Sequence, residues 1–152
     1  IKMYYDVIVL SGGFDPMHVG HLRMIQESAK MAEIVIVGVN SDDWLMRKKG
    51  YIFMPHSERM EMVQGTRGVS KAMAFDDSDN TACDLIKKVR ALWPAFKVAF
   101  ANGGDRTSDN IPEIPIAEAL DVHLIWGVGG GKVQSSSELV SDSIENNPNE
   151  TR

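Results

Sequence analysis

The stretch SGGFDPMHVGHLRMI, residues 11–25, lies where an apolar run ends and a helical pattern begins. Gly12 and Gly13 allow a tight turn and bring backbone N–H groups close to a ligand. A helix that begins near Gly20 directs the positive end of its dipole to the same place. This junction therefore predicts a phosphate site between the first strand and the first helix.

Two histidines, His18 and His21, stand three residues apart at the predicted helix start, so they can share one face. A lone histidine in such a position is usually a helix cap or a satisfied surface residue. Two of the four histidines of the chain in one turn favour a functional role instead. Zinc binding is a third interpretation, disfavoured because no cysteine or third histidine follows at ligand spacing.

Apolar, β-branched runs alternate with helical patterns along the chain, which is typical of a parallel sheet covered by helices. The predicted strands are Tyr5–Leu10, Ile34–Val39, Ala72–Phe75, Val98–Ala101 and Val122–Trp126. The predicted helices are Gly20–Met31, Ser57–Gln64, Thr81–Leu92, Pro112–Leu120 and Ser136–Glu145. We expect one Rossmann-like α/β domain over residues 1–152, with about five parallel strands and a frayed tail after residue 145.

Polar segments follow the predicted strands, at the edge where ligands bind in open α/β sheets. The longest, Asn40–Met54, is predicted to be a loop. It places Arg47, Lys48 and Lys49 together in a chain of net charge −5. A solvated basic surface is the usual explanation of such a run, but its place at the ligand edge favours phosphate binding.

Composition excludes several other classes of protein. The chain is 43% hydrophobic and 24% charged, as ordinary globular domains are. A net charge of −5 argues against a broad nucleic-acid-binding face. The single cysteine, Cys83, cannot form an internal disulfide, and neither a secretory signal nor an apolar run of about 20 residues is present. We expect a cytoplasmic protein that binds neither membrane nor nucleic acid.

The segment GGFDPMHVGH resembles the H-x-G-H signature of the nucleotidyltransferase superfamily, which includes cytidylyltransferases and adenylyltransferases. The resemblance implies that an acceptor phosphate attacks the α-phosphate of a nucleoside triphosphate and releases pyrophosphate, without a covalent enzyme intermediate. It implies that His18 and His21 donate hydrogen bonds to the phosphates and that Asp15 helps to hold Mg²⁺ or another divalent cation. The residues implied to line the nucleotide here are Gly12, Gly13, Phe14 and Gly20.

The segment VNSDDWLMRKKGYIFMPHSER, residues 39–59, resembles a stretch of glycerol-phosphate cytidylyltransferases and of the nucleotidyltransferase domain of ADP-heptose synthases. The shared pattern is N-S-D, then K-x-K-G, then E-x-R. It implies that Lys49 is catalytic and that Arg47 and Arg59 contact the triphosphate or the acceptor phosphate.

Two later segments resemble further parts of the same families. FANGGDRTSDN resembles their G-G-D segment, which implies that Asp105 lies by the nucleotide and its metal and Arg106 by a phosphate. GVGGGKVQSSSELV fails as a P-loop, because Trp126 stands where the first glycine belongs and Val133 follows Lys132. It resembles instead the I-S-[ST]-[ST] signature at the start of the last helix, which implies phosphate contacts from Ser135, Ser136 and Ser137; an ordinary serine cap is the alternative.

Together these resemblances predict a nucleotidyltransferase that transfers CMP from CTP to a small phosphorylated sugar or polyol, with Mg²⁺ and as a homodimer. One alternative is an adenylyltransferase using ATP, of the heptose-phosphate or nicotinate-mononucleotide type. The other is an inactive nucleotide-binding module, which the presence of both His18 and His21 disfavours. The departures at Gln134 and Lys132 from the family pattern leave the base and the acceptor open.

Overall fold

A computed structural model describes residues 4–103 and 111–128 of the chain. Within these ranges the elements are β1 (Tyr5–Gly12), α1 (Val19–Met31), β2 (Ala32–Val39), α2 (Asp42–Lys49), α3 (His56–Gln64), β3 (Lys71–Met73), α4 (Cys83–Leu92), β4 (Val98–Gly103), α5 (Ile114–Ala119) and β5 (His123–Val128). The strands form one parallel sheet in the order β3-β2-β1-β4-β5. The prediction of a five-stranded, Rossmann-like α/β fold is confirmed.

Residues 7–10 of the central strand β1 are all apolar and buried, because helices cover both faces of the sheet. Ile8 and Leu10 belong to one core cluster, together with Ile25 of α1. Val7 and Val9 belong to the other, together with Leu85 of α4. Alternate side chains of a strand point to opposite faces, so the four residues in a row serve both cores.

The carboxyl end of β1 is the place where this topology puts a ligand. The chain runs from β1 outward through β2 to β3, and then returns to the other side of β1 for β4 and β5. The strand order therefore reverses between β1 and β4, and ligands bind in the crevice beyond such a switch point. Strand β2 ends level with β1, since Val39 pairs with Gly12 and the N–H of Asn40 donates to the Gly12 carbonyl at 2.9 Å.

The prediction of a loop at Asn40–Met54 is wrong over its first half, where α2 forms. Ser41 caps this helix by accepting a hydrogen bond from the N–H of Trp44, and Gly50 ends it at a φ of 85°. Acidic residues fill the first turn and basic residues the last, as the helix dipole favours. Only Leu45 of the helix is buried, so the apolar periodicity that reveals most helices is missing here.

Smaller differences concern the ends of elements and the end of the chain. Strand β2 begins two residues earlier than predicted, at Ala32, and β3 covers Lys71–Met73 instead of Ala72–Phe75. The predicted last helix, Ser136–Glu145, lies outside the described residues. No helix in residues 4–103 and 111–128 is both long enough and apolar enough to cross a membrane.

Candidate active site

The glycine turn after β1 is built around a buried phenylalanine. Phe14 has a φ of 53° and is 2% exposed, and its ring centroid lies 4.7 Å from that of His21. A Cβ atom at Gly12 would come within 3.2 Å of the Phe14 ring, so glycine leaves the space that the ring occupies. The Phe14 side chain packs against His21 inside the protein, and the predicted contact of this residue with the nucleotide stays a prediction.

The two histidines form a reciprocal cap at the start of α1. Nδ1 of His18 accepts a hydrogen bond from the N–H of Gly20 at 3.1 Å, and Nδ1 of His21 accepts from the N–H of His18 at 3.1 Å. The two rings stack with centroids 3.8 Å apart and an interplanar angle of 22°. A ring nitrogen that accepts from an amide carries no proton, so each neutral imidazole keeps its proton on Nε2. Capping thus leaves both rings as Nε2–H donors.

His21 stays neutral over the whole physiological pH range. Burial and, to a smaller extent, the neighbouring His18 together lower its pKa from 6.5 to about 3. The side chain therefore offers one fixed donor and neither gains nor loses a proton near neutral pH.

The lowered pKa of His21 predicts acid-sensitive stability. Between pH 6.5 and about 3 the unfolded chain binds a proton at this residue that the folded chain does not. The free energy of unfolding should therefore fall as the pH is lowered from 6.5, and His21→Gln should lose that part of the fall. Denaturant unfolding at pH 7.5, 6 and 5 measures it. His123→Gln is the control, and equal acid sensitivity in His21→Gln and the wild type would contradict a buried neutral ring.

Asp15 does not fit the predicted role of a Mg²⁺ ligand. Its side chain is 1% exposed, and its oxygens accept from the N–H of Met54 at 2.6 Å, the N–H of Phe53 at 2.8 Å and the Lys49 ammonium at 3.2 Å. Three protein donors thus take the place that a cation would need. In the part of the chain that the structure describes, no three His, Cys, Asp or Glu side chains are grouped to hold a metal.

Lys49, the last residue of α2, is brought to the turn after β1. Its ammonium donates to the Asp15 carbonyl oxygen at 2.7 Å and lies 4.7 Å from the centroid of the Tyr51 ring. The side chain is 11% exposed and pairs with the Asp15 carboxylate. One positive charge is therefore fixed beside the segment that carries both histidines, and its contact with a phosphate stays a prediction.

Arg59 lies inside the protein, and its predicted contact with a phosphate stays a prediction. The side chain is fully buried, and its donors are used inside the protein. Nε donates to the Met54 carbonyl at 2.8 Å, and Nη1 donates to the carbonyls of Gly13 at 2.9 Å and Asn40 at 2.7 Å. Nη2 pairs with Asp42 at 2.7 Å. Arg59 therefore ties together the chain segments that follow β1, β2 and α2.

Arg47 contacts the segment that follows β3. It donates from Nε to the Asn80 side chain at 3.1 Å and from Nη2 to the Asp77 carbonyl at 2.8 Å, and it stays 41% exposed. Its predicted contact with a phosphate stays a prediction.

A family comparison agrees with this geometry. Residues 9–135 match the family described as cytidylyltransferase-like, which is most of the chain. The chain belongs to the cytidylyltransferase-like family.

Relatives of this cytidylyltransferase-like chain are longer proteins. The bifunctional protein HldE of Syntrophotalea carbinolica is 27% identical over 143 residues, which cover 91% of this chain and 28% of that protein. The ethanolamine-phosphate cytidylyltransferase of Arabidopsis thaliana is 29% identical over 105 residues, 69% of this chain and 23% of that protein. The chain spans about a quarter of the length of these relatives.

Solved structures share the fold of this cytidylyltransferase-like chain. The lipopolysaccharide core biosynthesis protein of Thermoplasma volcanium has a TM-score of 0.61 and 20% identity, covering 80% of this chain and 95% of that one. A bifunctional NMN adenylyltransferase/ADP ribose pyrophosphatase of Francisella tularensis has a TM-score of 0.59 and 18% identity, covering 80% and 37%. At these identities the likeness shows the fold alone.

Several predicted residues lie outside the described part of this cytidylyltransferase-like chain: Asp105, Arg106, Ser135, Ser136 and Ser137. Gly12 ends β1, Gly13 follows it, and Gly20 lies in the first turn of α1; their contacts with a nucleotide stay predictions. One buried acid was missed. Asp77 is 4% exposed and binds Asn40 and Ser41. In the sequence, Asp77 is marked only by its place in an acidic run after a strand. Such a run does not show which carboxylate is buried.

Proposed function

We propose that the chain is a nucleotidyltransferase that transfers CMP from CTP to a small phosphorylated sugar or polyol and releases pyrophosphate. The observation that carries the proposal is the stacked pair His18 and His21. Their Nδ1 atoms accept from backbone N–H groups, so each neutral ring carries its proton on Nε2, and both rings lie at the start of α1, next to the switch point of the sheet. The likeness to an ethanolamine-phosphate cytidylyltransferase supports CTP and a phosphorylated acceptor.

The reaction needs donors and positioning, and no nucleophilic side chain. A phosphate oxygen of the acceptor forms a bond to the α-phosphorus of the triphosphate, and the bond from that phosphorus to the bridging β-oxygen breaks. The Nε2–H groups of His18 and His21 donate to phosphate oxygens where negative charge increases. The Lys49 ammonium supplies a positive charge beside them. Its hydrogen bonds to Asp15 fix the position of that charge.

Divalent-cation dependence is proposed from the chemistry of the triphosphate, since Asp15 does not fit the cation. Mg²⁺ commonly binds phosphate oxygens and waters with few protein ligands, and when bound it offsets the charge of the phosphates. A homodimer, a cytoplasmic location and the absence of nucleic-acid partners are proposed from the resemblance and the composition.

A pyrophosphate-release screen tests the function. Four nucleoside triphosphates are combined with glycerol 3-phosphate, sugar 1-phosphates, phosphoethanolamine, phosphocholine and nicotinate mononucleotide. We expect CTP with one of the phosphorylated polyol or sugar acceptors to give kcat/KM at least about tenfold above any ATP reaction. The His21→Ala variant, purified in the same way, controls for contaminating activity. Preference for ATP with a mononucleotide acceptor would overturn the proposal, and triphosphate binding without turnover would establish the inactive module.

A further inference from the structure

Helix α2 is held mainly by polar contacts at its ends. It has 8 residues and buries only Leu45, whereas helices this short are marginal without an apolar face to pack. Asp42 in its first turn pairs with Arg59, and Lys49 in its last turn pairs with Asp15. The position of the helix, and so of Lys49, depends on such contacts.

The Asp77 carboxylate accepts three hydrogen bonds from the two residues that precede α2. Its Oδ2 accepts from the Asn40 amide at 3.0 Å and from the N–H of Ser41 at 2.7 Å, and its Oδ1 accepts from the Ser41 hydroxyl at 2.7 Å. Arg47 in the last turn lies 4.0 Å from the same carboxylate and donates to the Asp77 carbonyl. One residue from the segment after β3 thus binds both ends of α2.

The charge of Asp77 is maintained in spite of its burial. Burial opposes ionisation, but hydrogen bonds from Ser41 and Asn40, with the charge of Arg47, outweigh it and hold the pKa below its usual range. The carboxylate also lies at the N-terminus of a helix, where negative charge is favourable.

The segment that carries Asp77 gets its own shape from other side chains. Asp76 accepts from the N–H and hydroxyl of Ser78, and Asp79 accepts from the N–H and hydroxyl of Thr81. The Asp77 carboxylate accepts hydrogen bonds from across the site, from the segment between β2 and α2. Its contacts therefore serve α2 more directly than its own turn.

We propose that Asp77 is a positioning residue of the active site: it fixes α2 and thereby holds the Lys49 ammonium beside the turn after β1. Ser41 and Lys49 are separated by about 12 Å of helix, at about 1.5 Å per residue, so a tilt at the capped end displaces the ammonium. A misplacement of about 1 Å can cost about a hundredfold in rate. The kinetic part of this inference rests on the proposed function, whereas the structural part does not.

Lysine footprinting tests the structural part without any substrate. Wild type, Asp77→Asn and the matched control Asp76→Asn are treated briefly with acetic anhydride, and acetylation of Lys49 is measured against the exposed Lys48 by peptide mass spectrometry. We expect the Lys49/Lys48 ratio to rise at least about threefold in Asp77→Asn and to stay near wild type in Asp76→Asn. An unchanged ratio in Asp77→Asn would overturn the proposal. Ser41→Ala, which removes one partner of Asp77, should shift the ratio the same way and covers the case of an unfolded Asp77→Asn.

A double-mutant cycle tests the kinetic part. Asp77→Asn should lower kcat/KM at least about tenfold in the wild-type background and less than about twofold in a Lys49→Ala background, because its effect passes through Lys49. Equal losses in both backgrounds would show that Asp77 acts only on general stability. If the wild type has no transferase activity with any substrate, the proposed function fails, and the footprint alone decides the role of Asp77.

Discussion

Replacement of His21 by alanine should lower kcat by about a hundredfold or more, which is the scale for loss of one donor to developing negative charge. His18→Ala should have an effect of the same size. Both rings keep their protons on Nε2, because their Nδ1 atoms accept hydrogen bonds from backbone N–H groups. Steady-state kinetics with saturating CTP and acceptor measures the loss, and kcat near the wild-type value in both variants would contradict the site.

The role of a donor can be separated from that of a general acid or base by pH and by glutamine. The pKa of His21 is about 3, so its titration should leave no inflection in kcat between pH 5.5 and 8.5. His21→Gln can place an amide N–H near the former Nε2 position, so it should recover part of the activity that alanine loses. An inflection that disappears in His21→Gln, or equal activity of the glutamine and alanine variants, would argue against a neutral donor.

Patterns of residue type and spacing predicted the sheet and the histidine pair because both depend on local sequence. Apolar runs alternate with helical periods because the strands and helices pack together in two cores. The spacing of His18 and His21 lets their rings stack at the start of α1. Helix α2 was not predicted, because a helix with one buried residue shows no helical period of apolar residues.

The roles of individual charged residues depended on partners distant in sequence, which a single sequence does not show. Asp15 and Arg59 have the residue types of a metal ligand and a phosphate contact. The partners of Asp15 are Lys49, Phe53 and Met54, which lie 34 or more positions away in the sequence. They donate hydrogen bonds to its carboxylate. Burial and hydrogen-bond satisfaction, which arise only on folding, turned both into parts of the scaffold.

Arg59→Ala should destabilise the fold by about 3–5 kcal/mol, because each buried acceptor left without its donor costs about 1–3 kcal/mol. The variant leaves the carbonyls of Gly13, Asn40 and Met54 without the donor that they share. Denaturant unfolding at pH 7.5 measures the change. Arg67→Ala is the matched control, because Arg67 is exposed and its loss should change stability by less than about 0.5 kcal/mol.

Arg59→Lys separates the scaffold role from a direct phosphate contact. A lysine keeps the charge but lacks the planar fork that reaches several carbonyls and Asp42 at once, so stability should fall by about 2 kcal/mol or more. At a temperature where this variant is fully folded, the KM values for CTP and acceptor should stay within about twofold of wild type, because the guanidinium has no exposed surface for a phosphate. A stable variant with a strongly raised KM would instead mean that Arg59 turns outward to bind substrate, at the cost of four hydrogen bonds that join the segments around the glycine turn.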